Sequence, residues 1–130
     1  MTEHELIART KQFALRIMKL IDAIPQNVQG CAIAGQLMRS GFSVGANYRA
    51  ACRARSKAEF ISRLGTVEEE ADESGFWLEL IIEGGLLGEK RVRPLLTEAA
   101  ELAAIAASSR KTAANALAKS QLANRKSQFS

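Results

Sequence analysis

Four stretches of this sequence set apolar residues three and four positions apart, and two of them run up to a proline or a glycine pair. That spacing follows the 3.6-residue turn of an α-helix; a strand would alternate with a period of two. Phe13, Ile17, Leu20 and Ile24 make the first stripe. Thr2 with Glu5 offers a capping box, and Pro25 ends the run because the residue before proline avoids the α region. The first helix is therefore predicted from Glu3 to Ala23, with a loop from Pro25 to Gly30. In the second stretch, Cys31 to Ala54, residues Ile33, Leu37, Val44, Tyr48 and Cys52 keep helical spacing around Gly35, Gly41 and Gly45. Gly41 and Gly45 are four apart and share a face, so a continuous helix with close packing at the glycines is preferred to a break at Ser40-Gly41.

Ser56 is a suitable N-cap for a third helix, with Glu59 at the capping-box position. Phe60, Leu64, Val67, Ala71, Leu78 and Ile82 form its stripe up to Gly84-Gly85, and Trp77 falls off that stripe toward a second contact. A fourth helix is predicted from Lys90, with Pro94 in or beside its first turn. Leu95, Ala99, Leu102, Ala106, Ser109, Ala113 and Ala116 continue it as a seam whose later residues are small enough for close packing. After Leu117 the chain becomes polar and basic, so residues 119–130 are expected to be a frayed or disordered tail. With 130 residues, two prolines and 5% aromatics, the chain suits one helical core. The expected fold is all-α: an antiparallel, up-down-up-down four-helix bundle over residues 1–118.

Catalytic material is sparse. His4 is the sole histidine and sits near a terminus, so neither a histidine-based triad nor a histidine-rich metal site can be assembled. The Glu-x-x-His pairs of di-iron bundles are missing, and Gly41 to Gly45 lacks the lysine of a phosphate-binding loop. Cys31 and Cys52 lie on one predicted helix and are read as reduced, buried small residues. No apolar run is long enough to span a bilayer, and the acidic start Glu3-His4-Glu5 does not resemble a secretory signal. The expectation is a cytoplasmic protein that is not an enzyme, with no cofactor, no metal, no membrane and no small-molecule substrate.

The net charge of +4 is mild, but its distribution is not. From Arg49 to Arg63 there are five bases, Arg49, Arg53, Arg55, Lys57 and Arg63, against the single acid Glu59. From Glu68 to Glu83 there are seven acids and no base. The acidic run reads first as a solvated helix face, in which Glu70 and Glu73 reach toward the basic end of the second helix. The basic run fits an ordinary helix end, a contact with acids on another subunit, or phosphates of nucleic acid. Tyr48 is the one aromatic beside it, too little for stacking single strands.

The stretch Arg39 to Phe60, with Arg39-Ser40, Ser43-Val44-Gly45-Ala46-Asn47, the basic turn Arg53 to Lys57 and Glu59-Phe60, resembles one family. So does Glu68 to Leu80, with Glu70 to Ser74 and Trp77-Leu78. These are the bacterial four-helix-bundle proteins named after 23S rRNA intervening sequences, and the similarity spans about residues 10 to 115. Ala50 departs from the pattern, since members commonly carry glutamate there. The resemblance implies an antiparallel bundle that assembles as a ring-like homopentamer. A related branch is similar to the accessory protein of diversity-generating retroelements, which implies nucleic acid as a partner. Two functions follow as expectations. The leading one is a non-catalytic homo-oligomer associating with nucleic acid, structured RNA before DNA, through Arg39, Arg49, Arg53, Arg55, Lys57 and Arg63. The alternative is an assembly module in which the basic run docks on a neighbouring subunit's acidic face, with Glu59, Glu70 and Glu73 as subunit or interhelical ion-pair candidates.

Overall fold

The computed structural model describes residues 1–129 and contains four helices: α1 (Glu3–Asp22), α2 (Val28–Cys52), α3 (Lys57–Glu83) and α4 (Glu89–Phe129). Pairwise contacts fix their directions. Gly41 and Gly45 of α2 approach Ile17 and Thr10 of α1 in reverse order. Ser40 meets Ser74 and Asn47 meets Arg63 across α2 and α3, while Gly65 faces Arg110 and Gly75 faces Leu96 across α3 and α4. Arg9 of α1 pairs with Glu98 and Glu101 of α4, which closes the ring of helices. All four adjacencies are antiparallel, the arrangement of an up-down-up-down bundle.

Local signals set most boundaries. The Thr2 capping box forms as predicted: the Glu5 N–H donates to Thr2 Oγ1 and the Thr2 N–H to Glu5 Oε2. The second helix is unbroken but begins three residues earlier than predicted. Asn27 is its N-cap, accepting the Gly30 N–H on Oδ1 at 2.8 Å. Gly85, with φ of 70°, makes the turn after α3 that an L side chain would resist. Pro94 lies within α4 on its exposed side, where the carbonyl it leaves unbonded can take water.

The predicted stripes enter the core. Phe13, Ile17, Leu37, Val44, Leu64, Leu78, Ile81, Val92 and Ala99 are completely buried. Phe60 and Ile82 only flank the core, and Ser74 and Ile81 take inward positions on α3. On α4 the seam leaves the core after Ala106: Ser109 and Ala113 are half-buried and Ala116 is exposed. The expected tail, as far as Phe129, is a continuation of α4, and Ser130 lies outside the described residues. No glycine or proline follows Pro94, and the alanine-rich sequence favours the helix, so nothing local ends it. Cys31 and Cys52 are both free, but Cys31 is exposed rather than buried, because its position on α2 points away from the core.

Candidate functional site

The structure separates the six predicted basic residues. Arg39 sits in the middle of α2, where Nη1 donates to Glu70 Oε2 at 3.1 Å and Nη2 pairs with Glu73. This hydrogen-bonded guanidinium holds the Glu73 carboxyl below its usual range. Glu70 and Glu73 thus bridge α3 to the centre of α2, about three turns short of its basic end. Glu59 acts locally, accepting the Arg55 N–H at 2.9 Å while its own N–H donates to Ser56 Oγ. Arg63 lies on the flank of α2 and α3, with Nη1 at 3.4 Å from Asn47 Oδ1.

Arg49 and Arg53 face the other flank. With Lys11 they line a groove of about 460 Å³ between α1 and α2, whose other walls include Ile7, Ala14, Phe42 and Ala46. The outward stripe of α2 runs through Gly35, Met38, Phe42, Ala46, Arg49 and Arg53, all exposed. Its first half is apolar and its second half basic, and α2 contains no acid to neutralise it. Ala50, at the position where members of the resembled family commonly carry glutamate, is half-buried and leaves that imbalance intact. On neighbouring α1, Leu15 and Met18 are 42% and 53% exposed. Arg55 and Lys57 occupy the α2–α3 turn, exposed, at the end of the bundle that also carries the start of α1.

A second outward stripe lies on α3, where the acidic run is expected to be a solvated helix face. Glu69, Asp72, Phe76, Glu79 and Glu83 follow one another on α3 at intervals of three and four, and all are exposed. Phe76 is 51% exposed in their midst and meets the Trp77 ring edge-on at 5.1 Å. Trp77 is half-buried, and its Nε1 is enclosed without a well-formed hydrogen bond; the nearby Glu73 carboxylate is the charge it favours. Beside this stripe, Glu68, Glu69, Asp72 and Arg110 line a groove of about 600 Å³ with Ala103, Ala104 and Ala107 of α4. Arg110 Nε donates to Glu68 Oε1 at 2.9 Å. That these acids face solvent was legible in the sequence; that Phe76 stands exposed among them was not.

No three His, Cys, Asp or Glu side chains among the described residues converge as metal ligands, and no described helix is long and apolar enough to cross a membrane. Tyr48 and Cys52 interact in the last turns of α2, beside the start of α1, and burial raises both their proton affinities, which keeps both neutral. The surface thus presents a basic-apolar stripe on α2 and an acidic stripe with one aromatic on α3.

Comparison with known proteins agrees with this architecture. A solved protein of unknown function from the S23 ribosomal protein family of Bacteroides thetaiotaomicron is similar at 30% identity, with a TM-score of 0.78. The match covers 85% of this chain and 99% of that one. No curated protein matches the chain. The family model described as 23S rRNA-intervening sequence protein matches residues 2–108, from the α1 cap through the buried part of α4. Four antiparallel helices, the α2–α3 motifs and that match together show that the chain belongs to the 23S rRNA-intervening sequence protein family.

Proposed function

We propose that this chain is a non-catalytic assembly module whose copies join head to tail. The observation that carries the reading is the pair of unlike exposed stripes: Met38, Phe42, Arg49 and Arg53 on α2, and Phe76 among Glu69, Asp72, Glu79 and Glu83 on α3. An exposed apolar patch rimmed by charge is the ordinary mark of a protein contact. Two different patches that fit each other form a heterologous interface, which closes into a ring when the rotation allows. Aromatic and aliphatic burial supplies affinity, and the opposed charges supply orientation and encounter rate. Light scattering tests it. The unmodified chain should run as an oligomer at physiological salt, and Arg49→Glu with Arg53→Glu should give smaller particles. A monomeric parent, or a variant of undiminished size, would sink the reading.

Association with nucleic acid is the second reading. Arg49, Arg53, Arg55 and Lys57 are all exposed near one end of the bundle, with no ion pair to any of them among the described residues. Arg39 contributes less, being held by Glu70 and Glu73. A ring would present several such ends together and raise a weak affinity by effective concentration. Replacing Arg55 and Lys57 by glutamine, away from the α1–α2 groove, should weaken duplex RNA or DNA binding and flatten its salt dependence. Unchanged binding would remove this end of the bundle from consideration.

A further inference from the structure

The last part of α4 has no role in the bundle. Beyond Leu117 every residue whose burial is described is exposed, and the matched family region stops at residue 108. From Ala118 to Phe129 the helix extends about 18 Å at 1.5 Å per residue. After Glu101 the chain contains no acid, while Lys111 before this segment and Lys119, Arg125 and Lys126 on it are exposed. On the helical repeat Lys111, Leu122 and Arg125 share one line, with Lys119 and Lys126 about a quarter-turn away. All four cations therefore occupy one half of the circumference. Beyond Leu117 the opposite half, which continues the core line, carries Ser120, Asn124 and Ser127.

We infer that this extension is a phosphate-binding arm that lies along the backbone of a nucleic-acid duplex. A basic helix with no acid gains by displacing condensed counterions from a regular array of phosphates, and a single helix is narrow enough to lie in or across a duplex groove. The composition argues against two other occupants. A helix at a membrane surface needs bulky apolar residues opposite its cations, and here that side is serine and asparagine. Pairing with a second copy of itself needs an apolar seam, which the same line lacks. The α2–α3 turn with Arg55 and Lys57 lies at the end from which α4 projects, so the arm extends the second reading above to a separate surface.

Fluorescence anisotropy of labelled DNA and RNA duplexes of about 20 base pairs, titrated at several salt concentrations, tests the arm. The variant Lys111→Gln, Lys119→Gln, Arg125→Gln, Lys126→Gln changes only exposed positions and should keep the parent's melting temperature. It should bind at least about tenfold more weakly near 0.1 M salt, and the slope of log affinity against log salt should fall by about 3 to 4, near 0.9 per phosphate contact. Arg55→Gln with Lys57→Gln separates the two readings: loss only in that variant overturns the arm and retains the turn. Loss only in the arm variant supports the arm and rejects the turn. No duplex binding by the parent overturns both. Equal binding of the parent to anionic vesicles, lost equally in the arm variant, overturns the nucleic-acid assignment in favour of a lipid surface.

Discussion

At the residue scale, the glycines of α2 have opposite meanings although their type is the same. A Cβ on Gly41 would fall 2.1 Å from Ile17 Cδ1, an atom locked in the completely buried side chain that it belongs to. On Gly45 it would be 3.3 Å from Thr10 Oγ1, a close but adjustable contact. On Gly35 it would meet nothing within 4 Å. Gly35→Ala should therefore stabilise by about 0.5–1 kcal/mol through helix propensity alone. Gly41→Ala should destabilise by about 1–3 kcal/mol, because Ile17 must leave its rotamer or α1 must move. Denaturant titration of the two variants decides it, and equal shifts would show that the helix spacing relaxes freely. Close packing at Gly41 and Gly45 was readable from their four-residue separation; that Gly35 faces water was not, since a glycine shows no polarity to mark its side.

At the element scale, α1 and α4 share the sparsest seam of the bundle, and a guanidinium fork spans it. Arg9 Nε donates to Glu98 Oε2 at 2.8 Å and Nη2 to Glu98 Oε1 at 2.6 Å, with Glu101 as a further partner. The hydrogen bonds from Arg9 hold the Glu98 carboxyl below its ordinary range, against an opposing effect of burial. A carboxyl whose proton affinity drops on folding stabilises fully above its unfolded value, about pH 4.3. That stabilisation is lost as pH falls through the lower, folded value. Glu98→Gln should cost about 1 kcal/mol at neutral pH, since the side chain is 14% exposed and keeps some packing. Its melting temperature should also fall less steeply than the parent's below about pH 4.3. Parallel melting curves across that interval would remove Glu98 as a source of the acid sensitivity. The pair was invisible in the sequence because its members stand 89 positions apart, with no motif linking them.

At the scale of the whole molecule, the two outward stripes give one bundle a basic-apolar side and an acidic-aromatic side. A contact between them predicts a rescue that a contact of either stripe with its own copy does not. Arg49→Glu with Arg53→Glu should not assemble alone, nor should Asp72→Arg with Glu79→Arg. Joining all four substitutions in one chain should restore the parent's size in light scattering, because each reversed stripe then meets a reversed partner. Failure of the combined chain to assemble, with both pairs well folded by circular dichroism, would dissociate the stripes from one another.

The four helices, their order, and most of the core belong to the sequence, because apolar spacing and caps act within a few residues of one another. Phe13, Ile17, Leu37, Leu64, Leu78 and Leu102 are buried where the periodicity placed them or continued it. The start of α2 was misjudged because Pro25 and Gly30 drew the loop past the Asn27 cap. The length of α4 was misjudged because a polar composition shows what will not be buried, whereas continued helix needs only the absence of a breaker. Tertiary structure decided how the charges are shared. The basic candidates divided into a clamp at Arg39, a groove at Arg49 and Arg53, and a turn at Arg55 and Lys57. Each further residue along a helix turns the side chain by about 100°, so neighbours in sequence look in different directions. Only the docking of α1 and α3 on either flank of α2 settles which of those directions remains open to a partner.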